Sequence, residues 1–85
     1  MDRRTLDVER LRRLRRNAEV VETLKEWRLA ESKKRRIPAF RVMRDRTLLA
    51  LAGARPGSED ELLEVPGIGA RIVERYGEEL IRLLS

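Results

Sequence analysis

The 85-residue chain contains no cysteine and no histidine. Without cysteine it has no disulfide bonds, thiolate metal sites or cysteine nucleophiles. Without histidine it lacks the usual general base at neutral pH and the commonest metal ligand. No matched pair of carboxylates stands out as an acid–base couple. We therefore expect a protein that is not itself an enzyme, with no catalytic residues, no metal site and no cofactor.

Long apolar runs are also missing. None approaches the ~20 residues that a membrane-spanning helix needs, and the charge at Asp2 makes the N-terminus unlike a signal peptide. We therefore expect a cytoplasmic protein without a membrane partner. The length allows one domain, and its hydrophobic core should be thin.

Charge is abundant and unevenly distributed. Residues 1–41 carry 14 Lys or Arg against 7 Asp or Glu, whereas residues 42–85 carry 6 against 8, which together give the net charge of +5. A basic front and a mildly acidic back indicate a surface that contacts a polyanion such as nucleic acid. The alternative, that the arginine-rich helices are simply solvated, stays open.

The chain has few helix breakers, and residues 6–36 contain no proline or glycine. Apolar residues recur there at helical spacing, which allows one long helix. Asn17 followed by Ala18 and Glu19 also suits an N-cap, so we favour a flexible or loosely helical arm and then a firm helix from about Asn17 to Lys34. The arginine-rich residues before it have little apolar surface to pack. We therefore divide the chain into a basic arm or linker, residues 1–16, and a helical domain, residues 17–85.

The remaining elements are short, and the expected fold is all-α: a compact bundle of five short helices with a helix-hairpin-helix-like turn. In chain order we predict a crossing loop over residues 37–43 that packs Ile37, Val42 and Met43 into the core, and a helix through Ala52 with Asp45 as N-cap and Gly53 at its end. A helix opened by a capping box at Ser58 follows, then a turn at Gly67 and Gly69, a helix from Ala70 to Arg75 and a break at Gly77. The last helix runs from Glu78 to Leu84, with Leu80, Ile81 and Leu84 facing inward.

The expected core combines apolar side chains from all of these helices. Trp27 and Tyr76 should be core anchors whose polar atoms lie at its edge. The other expected core residues are Val21, Leu24, Ile37, Val42, Leu48, Leu51, Leu62, Leu63, Ile68, Ile72, Val73, Leu80 and Ile81.

Four motifs in this order resemble the HRDC (helicase and RNase D C-terminal) domain, over about residues 20–84. They are Leu24-Lys25-Glu26-Trp27-Arg28 followed by Ile37-Pro38-Ala39-Phe40, then Asp45-Arg46-Thr47-Leu48, then Arg55-Pro56-Gly57-Ser58, and finally Val65-Pro66-Gly67-Ile68-Gly69 followed by Glu74-Arg75-Tyr76-Gly77.

The resemblance implies a non-catalytic accessory domain of five helices at the C-terminus of a larger protein. It implies a bacterial RecQ-type DNA helicase as the parent, with an RNase D-type exonuclease as the alternative. The expected partners are single-stranded or structured DNA, bound weakly, and the catalytic core of the parent. The expected role is to tune the helicase's choice of substrate, as a monomer close to the nucleoid.

The first candidate site is basic and lies at the end of the first helix. Its cations are Arg28, Lys33, Lys34, Arg35, Arg36 and Arg41. They suit contacts with backbone phosphates, and an exposed Phe40 beside them suits stacking on an unpaired base. The alternatives are a favourable interaction with the helix dipole for the cations and core packing for Phe40.

The second candidate site is the turn of Gly67 and Gly69 with Arg71 after it. Backbone N–H groups at the start of the next helix suit a phosphate. The alternative is a compact turn between helices, packed by Ile68. Acidic neighbours would repel a polyanion within a Debye length of about 8 Å, which favours this structural interpretation.

The third candidate site is acidic and consists of Glu59, Asp60, Glu61 and Glu64. Acids stabilise a helix N-terminus, which accounts for part of the cluster. The cluster also suits a competing hypothesis, a regulatory module that docks on the helicase core or on another protein.

Overall fold

A computed structural model of the protein describes residues 3–85. In this part of the chain there are five helices and no strand: α1 Arg3–Arg35, α2 Ala39–Val42, α3 Asp45–Ala54, α4 Glu59–Glu64 and α5 Ala70–Leu84. The all-α class and the number of helices are therefore confirmed, although their boundaries differ from the prediction. None of these helices has the length and apolarity that a membrane span requires.

Helix α1 is one continuous helix of 33 residues. It is about 50 Å long at 1.5 Å per residue, which matches the longest dimension of the molecule, 50 Å. The predicted start at Asn17 is therefore wrong. Arginine, leucine and glutamate are good helix formers and no breaker interrupts them, so one mid-helix asparagine does not end the helix. Residues 1 and 2 of the predicted arm lie outside the described residues.

The two halves of α1 differ in burial. The described side chains of residues 4–19 are exposed, and packing against the core begins at Val20 and Val21. From there α1 packs against α2, α3 and α5. In the structure both parts of this division belong to one helix. The boundary between an arm and a domain at residue 16 therefore stays a prediction about domain organisation.

The segment predicted as a crossing loop contains the one-turn helix α2. Its apolar residues pack inward as expected: Val42 and Met43 are buried, and Ile37 is half-buried. The prediction of Asp45 as N-cap of α3 is wrong: Arg44 is the N-cap, Asp45 is the first helical residue, and its acidic side chain lies in the first turn.

The predicted end of α3 at Gly53 is wrong, because the helix continues to Ala54. Arg55 ends it in the left-handed region, with φ 47°. Its N–H donates to the Leu51 carbonyl at 3.0 Å, and its guanidinium reaches the Leu84 carbonyl at 3.5 Å. A side chain that ties two helix ends together therefore occupies a position where glycine is common.

Helix α4 begins with the predicted capping box. Ser58 Oγ accepts from the Glu61 N–H at 3.2 Å, and Glu61 Oε2 accepts from the Gly57 N–H at 2.8 Å. Both bonds satisfy backbone donors at the helix start, and the carboxylate bond falls one residue earlier than in the usual motif.

The predicted break at Gly77 is also wrong, since α5 runs unbroken from Ala70 to Leu84. A Cβ placed on Gly77 would lie 3.3 Å from Val73 Cγ1 and 3.8 Å from Leu62 Cδ1 of α4. Glycine inside a helix costs about 1 kcal/mol relative to alanine. The tight contact is with Val73 of the same helix, whereas the distance to Leu62 of α4 is an ordinary van der Waals contact, and Gly77 is buried without ending α5.

The core lies between the second half of α1 and the other helices, and five leucines in it are fully buried: Leu24, Leu48, Leu51, Leu62 and Leu80. Leu63 was expected in the core and is 48% exposed. Neighbouring residues on a helix point in directions about 100° apart, so only Leu62 of this pair faces inward. Two buried hydrophobic residues, Ala52 and Val65, were not among those expected in the core.

Candidate nucleic-acid interface

A fixed turn at the end of α1 presents four consecutive cations. Arg36 has φ 54°; its N–H donates to the Lys33 carbonyl at 3.3 Å, and the Ile37 N–H donates to the Ser32 carbonyl at 3.1 Å. This pair of bonds is the Schellman motif, with arginine in the position that usually holds glycine. Ser32 Oγ also donates to the Ile37 carbonyl. The turn leaves residues 33–36 exposed.

Helix α2 continues this surface. Phe40 is 63% exposed and Arg41 is exposed, while Val42 and Met43 after them are buried. Core packing of Phe40, one of the two interpretations of the sequence, is therefore wrong. The exposed ring is free to stack on an unpaired base, which is worth about 1–3 kcal/mol per base in proteins that bind single strands.

A groove of about 750 Å³ joins this surface to the start of α5. We call it the arginine groove because four arginines line it: Arg35, Arg41, Arg71 and Arg75. Its other lining residues are Val42, Ile72, Glu74 and Tyr76. The fold thus brings cations from three elements to one concave surface, where closely spaced positive charge favours a polyanion.

Tyr76 holds one of these arginines in place. Its hydroxyl accepts from Arg35 Nη1 at 2.8 Å and donates to Glu31 Oε1 at 3.2 Å. The ring is buried and meets Trp27 edge-on, with centroids 5.0 Å apart and planes at 87°. The expected anchoring role of both aromatics is confirmed, although the Trp27 indole N–H is buried without a hydrogen-bond acceptor among the described residues.

Arg28 has a structural role instead. Its Nη1 donates to the Met43 carbonyl at 2.9 Å and lies 2.7 Å from Asp45 Oδ1, with only 12% of its side chain exposed. It therefore joins α1 to the start of α3, and we leave it out of the proposed interface. The described side chains show no carboxylate within salt-bridge distance of Lys33, Lys34 or Arg36.

The two glycines of the hairpin turn have different roles. Gly67 has φ 90°, and a Cβ built there would overlap Thr47 Oγ1 and lie 3.1 Å from Thr47 Cγ2. Gly67 is thus needed for the approach of the turn to α3. Gly69 has φ −111°, and a Cβ there would meet nothing within 4 Å. The turn is compact, as the structural interpretation required, with the Ile68 N–H donating to the Val65 carbonyl at 3.0 Å.

Gly69 is the N-cap of α5, and its carbonyl accepts from the N–H groups of Ile72 and Val73 at 3.1 and 3.2 Å. The first N–H groups of a helix have no partner within it. They lie at the same end of α5 as Arg71, which lines the arginine groove. The sequence analysis missed Arg75, although its position four residues after Arg71 places both on one face of a helix.

The four predicted acidic residues do not form one site. Glu59 lines a groove of about 740 Å³ between α4 and α5, which we call the acidic groove, together with Glu74, Glu78, Glu79 and the exposed Leu63. Glu61 and Glu64 line a separate recess of about 400 Å³ beside Pro56 and Pro66. Asp60 is exposed and lines neither groove.

The acidic and arginine grooves share Glu74 and Arg75, so they adjoin along α5. No group of three or more acidic side chains in the described residues could hold a metal ion.

The chain matches a known domain family. Residues 17–84 match the family model of the HRDC domain. Among solved structures, the chain is similar to "D. radiodurans RecQ HRDC domain 3", with a TM-score of 0.76 and 40% sequence identity over 80% of this chain and 90% of that one.

Curated relatives are helicases. The chain is 41% identical over 66 residues to the ATP-dependent DNA helicase UvrD2 of Mycobacterium tuberculosis H37Rv, covering 78% of this chain and 9% of that protein. It is 34% identical over 61 residues to the ATP-dependent DNA helicase RecQ of Bacillus subtilis, covering 72% of this chain and 10% of that protein. The chain thus spans about a tenth of the length of these relatives.

Proposed function

Because this chain belongs to the HRDC domain family, we propose that it is a non-catalytic accessory module of an ATP-dependent DNA helicase. It binds single-stranded or structured DNA weakly and tunes which substrates the helicase engages. The relatives' names support a helicase parent of UvrD2 or RecQ type. In that role the protein is cytoplasmic and associated with the nucleoid.

The observation that carries the DNA-binding proposal is the convergence of four arginines in the arginine groove. The exposed cations Lys33, Lys34 and Arg36 extend the same positive surface along the α1 turn, and Phe40 adds an aromatic ring for stacking. A phosphate bound in the groove would lie within reach of the backbone N–H groups after Gly69. The adjoining carboxylates keep binding weak.

The proposal predicts how steeply DNA affinity falls with salt concentration. Four phosphate contacts on a single strand predict a slope of about −2.8 in log K against log salt. Affinity should then fall about 50-fold between 50 and 200 mM salt, and loss of one contact should reduce that factor to about 20-fold. Fluorescence anisotropy with a labelled oligothymidine measures both values.

A matched pair of variants locates the contact. Arg71 and Arg82 lie on the same helix, but Arg71 lines the arginine groove and Arg82 lines the acidic groove. We expect Arg71→Ala to weaken binding and flatten the salt slope, and Arg82→Ala to change neither. Absence of binding at low salt, or equal effects of the two variants, would remove the basis of the proposal.

The acidic groove supports a second candidate function, docking on the helicase core or on another protein. Its carboxylates surround Leu63, which is 48% exposed and suits an apolar contact within a charged rim. In the whole helicase, Glu59→Lys together with Glu78→Lys should alter the preference among DNA structures. Asp60→Lys, outside the groove, is the control. An unchanged preference in both variants would rule this function out.

A further inference from the structure

The first half of α1, up to residue 19, exposes a stripe of apolar side chains. Val8, Leu11 and Leu14 are 46%, 53% and 60% exposed, and Leu29 further along the helix is 51% exposed. Single exposed leucines are common, but these follow one another on a helix that extends beyond the core. A helix of this length gains most of its stability from packing an amphipathic face, so its exposed half has a surface suited to a partner.

The spacing of this stripe is that of a helix pair. Leu11, Leu14, Ala18 and Val21 alternate at intervals of three and four residues, the a and d positions of a heptad repeat. Further along the same side of α1, Lys25 and Leu29 are exposed. Val21 also packs against the core but is only half-buried, so a second helix can reach this face as far as Leu29.

We propose that this face pairs with the same face of a second copy of the chain, with the two α1 helices antiparallel. The twofold axis lies between Leu14 and Ala18, so that Leu14 packs on Ala18 of the second copy and Leu11 packs on its Val21. Such an isologous pairing is closed and involves two chains only. It differs from the monomer that we expected from the sequence.

Charge supports this register. In the same alignment Lys25 faces Asp7 of the second copy, and Glu22 lies within reach of its Arg15. The exposed Leu29 lies beside Val8 of the second copy. One register thus covers all four exposed apolar side chains and pairs two sets of opposite charges, each of them twice because of the symmetry.

A parallel pairing is disfavoured by the same residues. It would place Lys25 against Lys25, Asp7 against Asp7 and Arg10 beside Arg15 of the second copy. Like charges at such positions select against a pairing. The charge pattern therefore specifies the antiparallel partner.

Sedimentation equilibrium of the whole chain over a range of concentrations tests the pairing. The mass should rise from 10.0 kDa towards twice that value as concentration increases. Leu14→Glu should keep the mass at that of one chain. Leu49→Glu makes the same change at an exposed leucine of α3, 53% accessible and outside the stripe, and should leave the association unchanged.

A charge exchange tests the register. Arg15→Glu alone and Glu22→Arg alone should each weaken association about tenfold, because each turns attractive pairs into repulsive ones. The double variant should restore it. Arg16→Glu, on the outer face of the helix, should have no effect beyond the change in net charge. All these residues are exposed, so the variants should fold, and circular dichroism verifies this.

Three results would overturn the proposal: a single-chain mass at all concentrations, a double variant no better than the single ones, or association that occurs only when an oligonucleotide is added. The last result would mean that DNA, rather than helix pairing, brings two copies together.

Discussion

Gly67 is the position where adding one methyl group should reduce the stability of the fold most. Its φ of 90° lies in a region that residues with side chains rarely adopt, and a Cβ there would overlap the Thr47 hydroxyl of α3. Thr47 is itself buried, 8% exposed, so it has little room to move away. Gly67→Ala therefore strains the backbone and overpacks the contact between the hairpin and α3.

The two costs are of known size. A left-handed conformation costs a residue with a side chain about 1–2 kcal/mol, and overpacking a filled site costs about 1–3 kcal/mol. Their total is about 2–5 kcal/mol, against an unfolding free energy of roughly 4–13 kcal/mol for a chain of this length. At 4–8 °C per kcal/mol the midpoint of thermal unfolding should fall by about 10 °C or more.

Thermal and urea unfolding followed by circular dichroism measure this loss, and Gly69→Ala is the matched control in the same turn. Gly69 has an ordinary extended φ and open space at Cβ, so the gain of alanine through the unfolded chain and its lower preference for the N-cap should nearly cancel, within about 1 kcal/mol. Thr47→Ala should restore part of the stability lost in Gly67→Ala. Equal stability of the Gly67 and Gly69 variants would refute the reasoning.

Three further variants test other parts of the account. Arg36→Gly should raise the unfolding midpoint, because glycine accepts the φ of 54°, and should lower DNA affinity through loss of a cation; stability that falls, or affinity that holds, would contradict this. Phe40→Ala should weaken binding to single strands by about 1–3 kcal/mol without affecting stability, since the ring is 63% exposed; an unfolding midpoint that drops would show a packing role. Tyr76→Phe should cost about 1 kcal/mol of stability in urea titrations, because it removes the hydroxyl that joins Arg35 to Glu31; no loss would mean that solvent replaces both bonds.

The sequence predicted most of the fold because its signals are local. The capping box at Ser58, the proline that separates α1 from α2 and the apolar spacing of the helices each depend on neighbouring residues. Tertiary contacts decided the remaining boundaries. Gly77 is buried within α5 next to Leu62 of α4 and does not end the helix, and Arg55 ends α3 where its guanidinium reaches the end of α5.

The candidate interface shows the same limit. The run of cations follows from the sequence, which left exposure and core packing of Phe40 as alternatives, but the arginine groove depends on how α5 lies against α1 and α2. That packing brings Arg71 and Arg75 of α5 to Arg35 and Arg41, whereas Arg28 ties α1 to Asp45 of α3 instead. The acidic residues, adjacent in sequence, separate because successive side chains on α4 point in different directions.

The most direct test of the central claim is an NMR titration of the ¹⁵N-labelled chain with a short single-stranded oligonucleotide. We predict that the largest shifts of backbone amides occur at the end of α1, in α2 and over residues 69–75, where the arginine groove lies. Shifts concentrated along α4 and the acidic groove, or confined to the first half of α1, would contradict the claim that the arginine groove binds DNA.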